Sequence, residues 1–447
     1  MANVSLRYDR NDPASIYEHA KRLEGHTLRD VVKECDKEHA ARTNRKGSFG
    51  QIVEEGYFNL DNNSESRADF YEVSIELKTT PMKRLNNGKY TSKERLILSI
   101  INYMELLHQG FEESFLKKNK ELLVIFYLFE EGLSHCDYKV LKAHLWKFPE
   151  NDLRIIRDDW NTIAKMVDEG RAHELSERYT LYLGAARKGA GHGKDMRKQP
   201  HSTDPAPQRA FSLKQTYVNK MWNTPRDVEC FIKDLTQWSD EMSFEDVVLK
   251  RFEPFEEMYC EDIEKMLNAE ELNRGSKAYH AHLARRMMGV KGKKIEEFEN
   301  ANVYMKTMRL QKNGMPKEDM VFPYFDYREL VQTDWEGSEI YEYLNRRFFF
   351  PIFRIDGDRT YFERAMFWSI SKNDLDEVER VWNETVRRVN AGRVDLPAIR
   401  ESAVAHVRPH GRDSKDVIPM PNGTTAVKKA FWLNRRFIAN QIGSHLR

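Results

Sequence analysis

The segment Asp69-Phe-Tyr-Glu-Val-Ser-Ile-Glu76-Leu-Lys78-Thr-Thr-Pro81 alternates Tyr71, Val73, Ile75 and Leu77 with Glu72, Ser74, Glu76 and Lys78. A strict period of two is the pattern of a strand with one face in a core. Glu76 and Lys78 therefore share a face, and Asp69, at the mouth of the strand, can bend back so that its carboxylate meets that of Glu76. Two carboxylates held together without a compensating arginine are costly unless a divalent cation lies between them, which implies a hard cation. Lys78 is then placed to orient or activate a water, or to stabilise negative charge at phosphorus, as metal-assisted phosphodiester hydrolysis requires. The bland alternative is the solvated outer face of an ordinary strand.

On the upstream side, Lys46-Gly47-Ser48-Phe49-Gly50-Gln51-Ile52-Val53-Glu54 sets glycines ahead of an amphipathic helix that carries Glu54 toward the strand. Downstream, Lys117-Lys118-Asn119-Lys120 runs directly into the apolar strand Leu122 to Leu128. From about residue 15 to 220 this pattern resembles MutH, a mismatch-repair endonuclease family that nicks at GATC. The segment from Lys83 to Tyr103 and the tail motif His406-Val-Arg-Pro-His410 are similar to type II restriction endonucleases of the Sau type, which carry a MutH-like half at each end of one chain. The resemblance covers nearly the whole chain. It implies an α/β (α+β) fold of two MutH-like domains, 1–222 and 223–447, each a mixed central sheet flanked by helices. It also implies Asp69 and Glu76 as metal-binding carboxylates, Lys78 as the catalytic lysine of the strand, Glu54 as the helix-borne acid and Lys118 as a second active-site lysine. Lys117 and Lys120 stand close enough to compete for that last role.

A chain of 447 residues has room for two domains of ordinary size. Its formal net charge is +1, so affinity for nucleic acid has to come from local patches. The 40% hydrophobic and 11% aromatic composition argues for packed cores. Cys35, Cys136, Cys230 and Cys260 are scattered, which suits a reducing cytoplasm and builds neither a zinc site nor a disulfide framework. No apolar run is long enough for a membrane span and none follows the amino terminus as in a signal peptide, so the expectation is a cytoplasmic protein, and the resemblance implies a prokaryotic one.

Along the chain, Asp12-Pro13 opens a capped helix and Thr27 a second one. Asn86-Asn87-Gly88 makes a hairpin turn, Leu96 to Tyr103 reads as an apolar strand, and Leu153 to Val167 as a helix. Residues 188 to 209 form a long polar Gly/Pro-rich segment, a type that is usually functional or mobile. After Asn223-Thr224-Pro225 the pattern begins again. Met305-Lys306-Thr307 echoes Leu77-Lys78-Thr79, Lys312-Asn313-Gly314 the Asn-Asn-Gly turn, Phe348 to Phe353 the buried strand, and Ala430-Phe431-Trp432-Leu433 the stretch Ala210-Phe211-Ser212-Leu213. Laid on the first copy through Lys306, the second carries Tyr304 for Glu76, Glu297 for Asp69, and Arg285 at or near Glu54. A tyrosine and an arginine do not rebuild a dicarboxylate magnesium site, so the second half is expected to be inactive.

Both halves keep a basic strip: Arg187 to Lys214 and His406 to Arg436 each hold seven Lys/Arg and two Asp. Phosphate contacts depend on such charge and hydrolysis does not. The resemblance implies that Arg408, with His406 and His410, lies on a loop reading DNA in the major groove; Lys188, and Arg187 in a shifted register, stand for it in the first half. The resemblance also places the element that carries Lys214, and Lys429 in the second half, against DNA. The expectation is a Mg2+-dependent GATC-specific restriction endonuclease acting on duplex DNA, monomeric until it dimerises or loops on DNA, with a cognate methyltransferase as genetic partner. A MutH-like nicking enzyme and a non-catalytic DNA-binding protein are the alternatives.

Overall fold

Leu122 to Phe126 is a wholly buried apolar run, which fits a strand in the middle of a sheet covered on both faces. The computed structural model describes residues 8–32, 35, 48–60, 67–85, 87–189, 195–223, 232 and 242–444. Two compact units divide the chain, Met1–Arg226 and Asp227–Arg447. Mixed sheets flanked by helices make up each of them.

The strands of the first unit are β1 (Ile75–Arg84), β2 (Tyr90–Ser92), β3 (Leu96–Ile100), β4 (Glu121–Leu128), β5 (Val140–Lys147), β6 (Leu183–Arg187), β7 (Met196–Arg197), β8 (Ala206–Pro207) and β9 (Arg209–Leu213). The main sheet has the order β2-β1-β4-β5, with β1 and β4 parallel and the other pairs antiparallel. A second, antiparallel sheet runs β3-β9-β6, and β7 and β8 form a small ribbon. Between β5 and β6 lies the helix Glu150–Asp168, which buries Ile155, Ile156, Ile163 and Val167 at helical spacing. At the start of the chain the helix Pro13–Lys21 is capped by Asp12, whose carboxylate accepts from the amides of Ala14 and Ser15 at 3.0 and 3.2 Å.

Three expectations need correction. The strand does not begin at Asp69: residues 71 to 74 form a turn, with Ser74 at a φ of +58°, and Phe70 and Ile75 exchange backbone hydrogen bonds across it. From Ile75 to Leu77 every side chain is buried, because β1 is an inner strand. The strand from Leu96 stops at Ile100, since Asn102 caps a short helix that takes up Tyr103. Cys35 and Cys136, 101 residues apart, are joined in a disulfide, a pairing that spacing along the chain does not reveal. Cys260 is free and buried, and Cys230 lies outside the described residues, as do Lys46, Gly47 and Asn86.

In the second unit the strands are β10 (Val303–Met305), β11 (Met308–Leu310), β12 (Met320–Tyr324), β13 (Arg347–Asp356), β14 (Arg359–Trp368), β15 (Ala405–Pro409), β16 (Val417–Pro419), β17 (Thr425–Val427) and β18 (Lys429–Leu433). The pattern of the first unit returns. β10 and β11 both run parallel to β13, which pairs antiparallel with β14; a 19-residue helix Lys372–Asn390 follows, and β12-β18-β15 make the second sheet. Pairing registers set Tyr304 opposite Phe348 where Glu76 stands opposite Leu122, in agreement with the alignment through Lys306. In the smaller sheets Ser212 faces Gly184 where Trp432 faces His406, so Arg408 matches Ala186 rather than Arg187 or Lys188.

The link from the helix Glu150–Asp168 to β6 is held by one carboxylate. Asp159 accepts from the amides of Leu181, Tyr182 and Leu183 at 2.6, 2.6 and 2.8 Å. Lys214 answers from the other side, donating to the carbonyls of Glu177 and Thr180. Asp159→Ala would strand three buried amides, and each unsatisfied donor costs about 1 to 3 kcal/mol. Urea unfolding is expected to show the first unit destabilised by about 3 kcal/mol or more, and Asp159→Asn, which retains one acceptor, to lose less.

Candidate active site and DNA-facing strands

The turn ahead of β1 brings Asp69 back over the strand. Its Oδ2 accepts from the Leu77 amide at 2.9 Å, and its own amide donates to Glu76 Oε2 at 3.2 Å. Glu76 is only 1% exposed. Lys78 donates a short hydrogen bond to Glu76 Oε1, and Lys118 approaches the same oxygen at 3.5 Å. Lys118 gets there because Lys117–Asn119 is the helical turn that leads into β4, the parallel neighbour of β1. Lys117 and Lys120 are exposed.

Glu54 comes from the helix that begins at Ser48–Gln51 and continues in wider turns through Ile52–Tyr57. Gly50 lets that helix close on β1: a Cβ there would meet Thr79 Oγ1 at 3.0 Å. Burial, and then the Asp69 carboxylate, push the Glu54 carboxyl up to about 7. Burial also raises Glu76, against the lowering pull of Lys78. For Lys78, burial alone would lower the ammonium, but Glu76, Asp69 and Glu54 together outweigh it and raise it.

Three carboxyls thus face two ammoniums, and with Glu54 ionised the set is one positive charge short of balance. Such a donor set fits a hard divalent cation, whose oxygen ligands would come from Asp69 and Glu76. Among the described residues no group of three or more His, Cys, Asp or Glu is arranged to hold a metal. Two carboxylates would therefore supply only part of such a cation's oxygen ligands.

The second unit is built differently at the same register. Tyr304 is 37% exposed and packs edge-on against Phe348. Glu297 lies in the helix Glu296–Ala301 and accepts from the Ile232 amide at 3.0 Å. Arg285 sits in the helix Tyr279–Met287, where burial lowers it.

The basic residues expected at DNA divide into exposed and buried sets. Arg187 is exposed and 3.3 Å from Asp195, and Lys188 is exposed at the end of β6. Arg408 is exposed, lies over the Trp432 ring at 3.7 Å and pairs with Asp319 at 3.0 Å; His410 meets the same ring edge-on. Lys429 is partly buried and donates to the Val394 carbonyl. Two of the set are corrected. Lys214, just past the end of β9, is buried and already bonded to carbonyls, and His406 is buried with its Nδ1 2.5 Å from Asn434 Oδ1. In a strand, alternate residues point inward, and charge alone does not tell which. Sequence reasoning passed over Trp432 as a platform for Arg408, and Lys306 and Arg309 as lining of a cavity. The echo of Lys78 in Lys306 was the available signal.

A family model described as the DNA mismatch repair enzyme MutH matches residues 58–159. The chain is 33% identical over 432 residues to the type II restriction enzyme Sau3AI of Staphylococcus aureus, covering 87% of each chain. It is 27% identical over 146 residues to the DNA mismatch repair protein MutH of Shewanella amazonensis, 32% of this chain and 63% of that one. With MutH of Buchnera aphidicola the identity is 24% over 183 residues, 39% of this chain and 78% of that one.

The raised Glu54 carboxyl has a consequence for stability. A native acid raised from 4.5 to about 7 binds more protons than its unfolded counterpart between those values, so its contribution to stability falls as pH rises through that window. In a chelator, Glu54→Gln is expected to raise the first unit's melting temperature at pH 8 and to leave it unchanged or lower at pH 4.5. Thermal melts at the two pH values check this, and equal shifts at both would remove the burial effect.

Proposed function

Because the chain belongs to the family of MutH-domain type II restriction endonucleases that includes Sau3AI, and is itself a restriction endonuclease, we propose that it cuts duplex DNA at GATC with Mg2+ at one centre in the first unit. The observation that carries the reading is the cluster of Asp69 and Glu76 with Lys78, at a register where the second unit has Tyr304. When bound, Mg2+ supplies Lewis-acid stabilisation of the phosphate and a more acidic water. Asp69 and Glu76 would hold it. Lys78 directs its ammonium at the attacking water or at the charge that develops at phosphorus. Lys118 keeps a second cation on the same face, and Glu54 completes the acidic set.

The second unit, in this reading, binds another copy of the site without cutting and acts as an effector or dimerisation aid. Arg408 and His410, with Lys429 behind them, meet DNA there, and Arg187 and Lys188 do so in the first unit. The enzyme works as a monomer that dimerises or loops on DNA, beside a cognate methyltransferase, in a prokaryotic cytoplasm. No described helix is long and apolar enough to cross a membrane. In a reducing compartment the Cys35–Cys136 pair would stand as two thiols. The duplicated topology disfavours a mismatch-repair nicking role, since the MutH relatives match only a third or so of the chain.

Digestion of unmethylated, adenine-methylated and cytosine-methylated plasmid, with the ends sequenced, tests site and sensitivity together; ends at sequences other than GATC would overturn the specificity. Asp69→Ala and Glu76→Ala are expected to cut at less than about one per cent of the native rate, on the several kcal/mol that metal catalysis supplies, while still binding GATC duplex in calcium. Lys78→Ala should keep metal and DNA binding and lose the chemical step. Single-turnover cleavage beside binding isotherms separates these outcomes, and a Lys78→Ala enzyme weakened only in affinity would make that lysine a phosphate contact.

A further inference from the structure

We propose that the second unit grips a DNA phosphodiester without a metal ion, in a cavity of about 620 Å3 in which Lys306 is the anchor. The proposal rests on the reading of this unit as a DNA binder and specifies how it binds. Six basic residues line the cavity: Lys277, Lys306, Arg309, Lys317, Arg408 and Arg435. Its two acids are already engaged. Glu318 pairs with Arg309 at 2.6 Å, and Asp319 pairs with Arg408 at 3.0 Å while accepting from the Arg435 amide. Among the described residues no carboxylate stands within 4 Å of the ammonium of Lys306, Lys277 or Lys317, so the cavity carries an uncompensated positive charge.

The contrast with the first unit gives that charge its meaning. There, Lys78 is bonded to Glu76, and the carboxylates beside it repel a phosphate until a cation intervenes. Lys306 occupies the equivalent register in the break between β10 and β11, with Tyr304 where the acid would be. Burial lowers Lys306, the mark of an ammonium held partly out of water with only the more distant Glu318 to support it. An incoming phosphodiester oxygen would supply the missing counter-charge. Arg408, His410 and Trp432 line the same cavity, so a duplex whose backbone met Lys306 would also meet the exposed Arg408. That continuity favours nucleic acid over a small free anion.

Fluorescence anisotropy of a labelled GATC duplex, with the full chain in EDTA, tests this. Native protein is expected to bind. Lys306→Met, which keeps the aliphatic stem, should weaken binding roughly fivefold to tenfold and lower the slope of log affinity against log salt by about one, as loss of one phosphate contact requires. Lys306→Arg should restore most of both, and the Met variant should melt no lower than native protein, since it removes a partly buried charge. Inorganic pyrophosphate as competitor at millimolar concentration should displace little duplex; full displacement would make the cavity a small-anion site and overturn the DNA assignment. Native affinity and slope for Lys306→Met would overturn the clamp. If Arg408→Ala weakened binding while Lys306→Met did not, the DNA-binding reading would survive and the clamp would fall. Loss with neither would remove both.

Discussion

A carboxylate in the middle of a sheet has to be balanced or it protonates, and Glu76 is such a group. Its position on β1 is dictated by the register with β4, and from that follows the company it keeps. Lys78 lies two residues on along the strand, on the same face; Lys118 arrives at the foot of the parallel neighbour; Asp69 is folded back by a turn whose Ser74 takes a positive φ. Glu54 closes the set only because Gly50 admits the helix so near to Thr79. Each of these elements would be ordinary without the buried charge. Together they leave a centre that, with Glu54 ionised, is acidic by one charge and ready for a hard cation.

The second unit keeps the same strands, pairings and 19-residue helix while changing the side chains at that spot. With Tyr304 in place of the buried acid, the lysine next to it is no longer neutralised within the fold. Loss of the acids around it thus turns a lysine that serves carboxylates into one that seeks an external anion. The smaller sheets diverge in the opposite direction. Ser212 and Gly184 in the first unit leave no aromatic surface where Trp432 supports Arg408 in the second.

Much of the centre was legible in the chain because its residues are local to a strand and its neighbours: Glu76 and Lys78 two apart, Lys118 just ahead of an apolar run, Glu54 after a glycine. The duplication was legible because apolar strand cores repeat in order. What escaped depends on environment. Alternation suggested one wet face for β1, whereas both faces are covered; Lys214 and His406 look like surface bases in the sequence yet lie buried, satisfied by carbonyls and an amide. The cavity around Lys306 is assembled from segments more than a hundred residues apart, so no local pattern announces it.

The bond between Cys35 and Cys136 encloses Glu54, Asp69, Glu76, Lys78 and Lys118 in one covalent ring. In the oxidised form a single break of the backbone anywhere within that ring would leave both pieces attached, and two would be needed to release any part of the centre. Closing a loop of 101 residues also shrinks the unfolded ensemble of that segment, by roughly 4 to 5 kcal/mol in the chain-entropy model. The second unit, whose described cysteine is unpaired, has no such tether among its described residues. The two halves of one fold would then differ in endurance as well as in chemistry, and an oxidising extract would favour survival of the half that holds the acids.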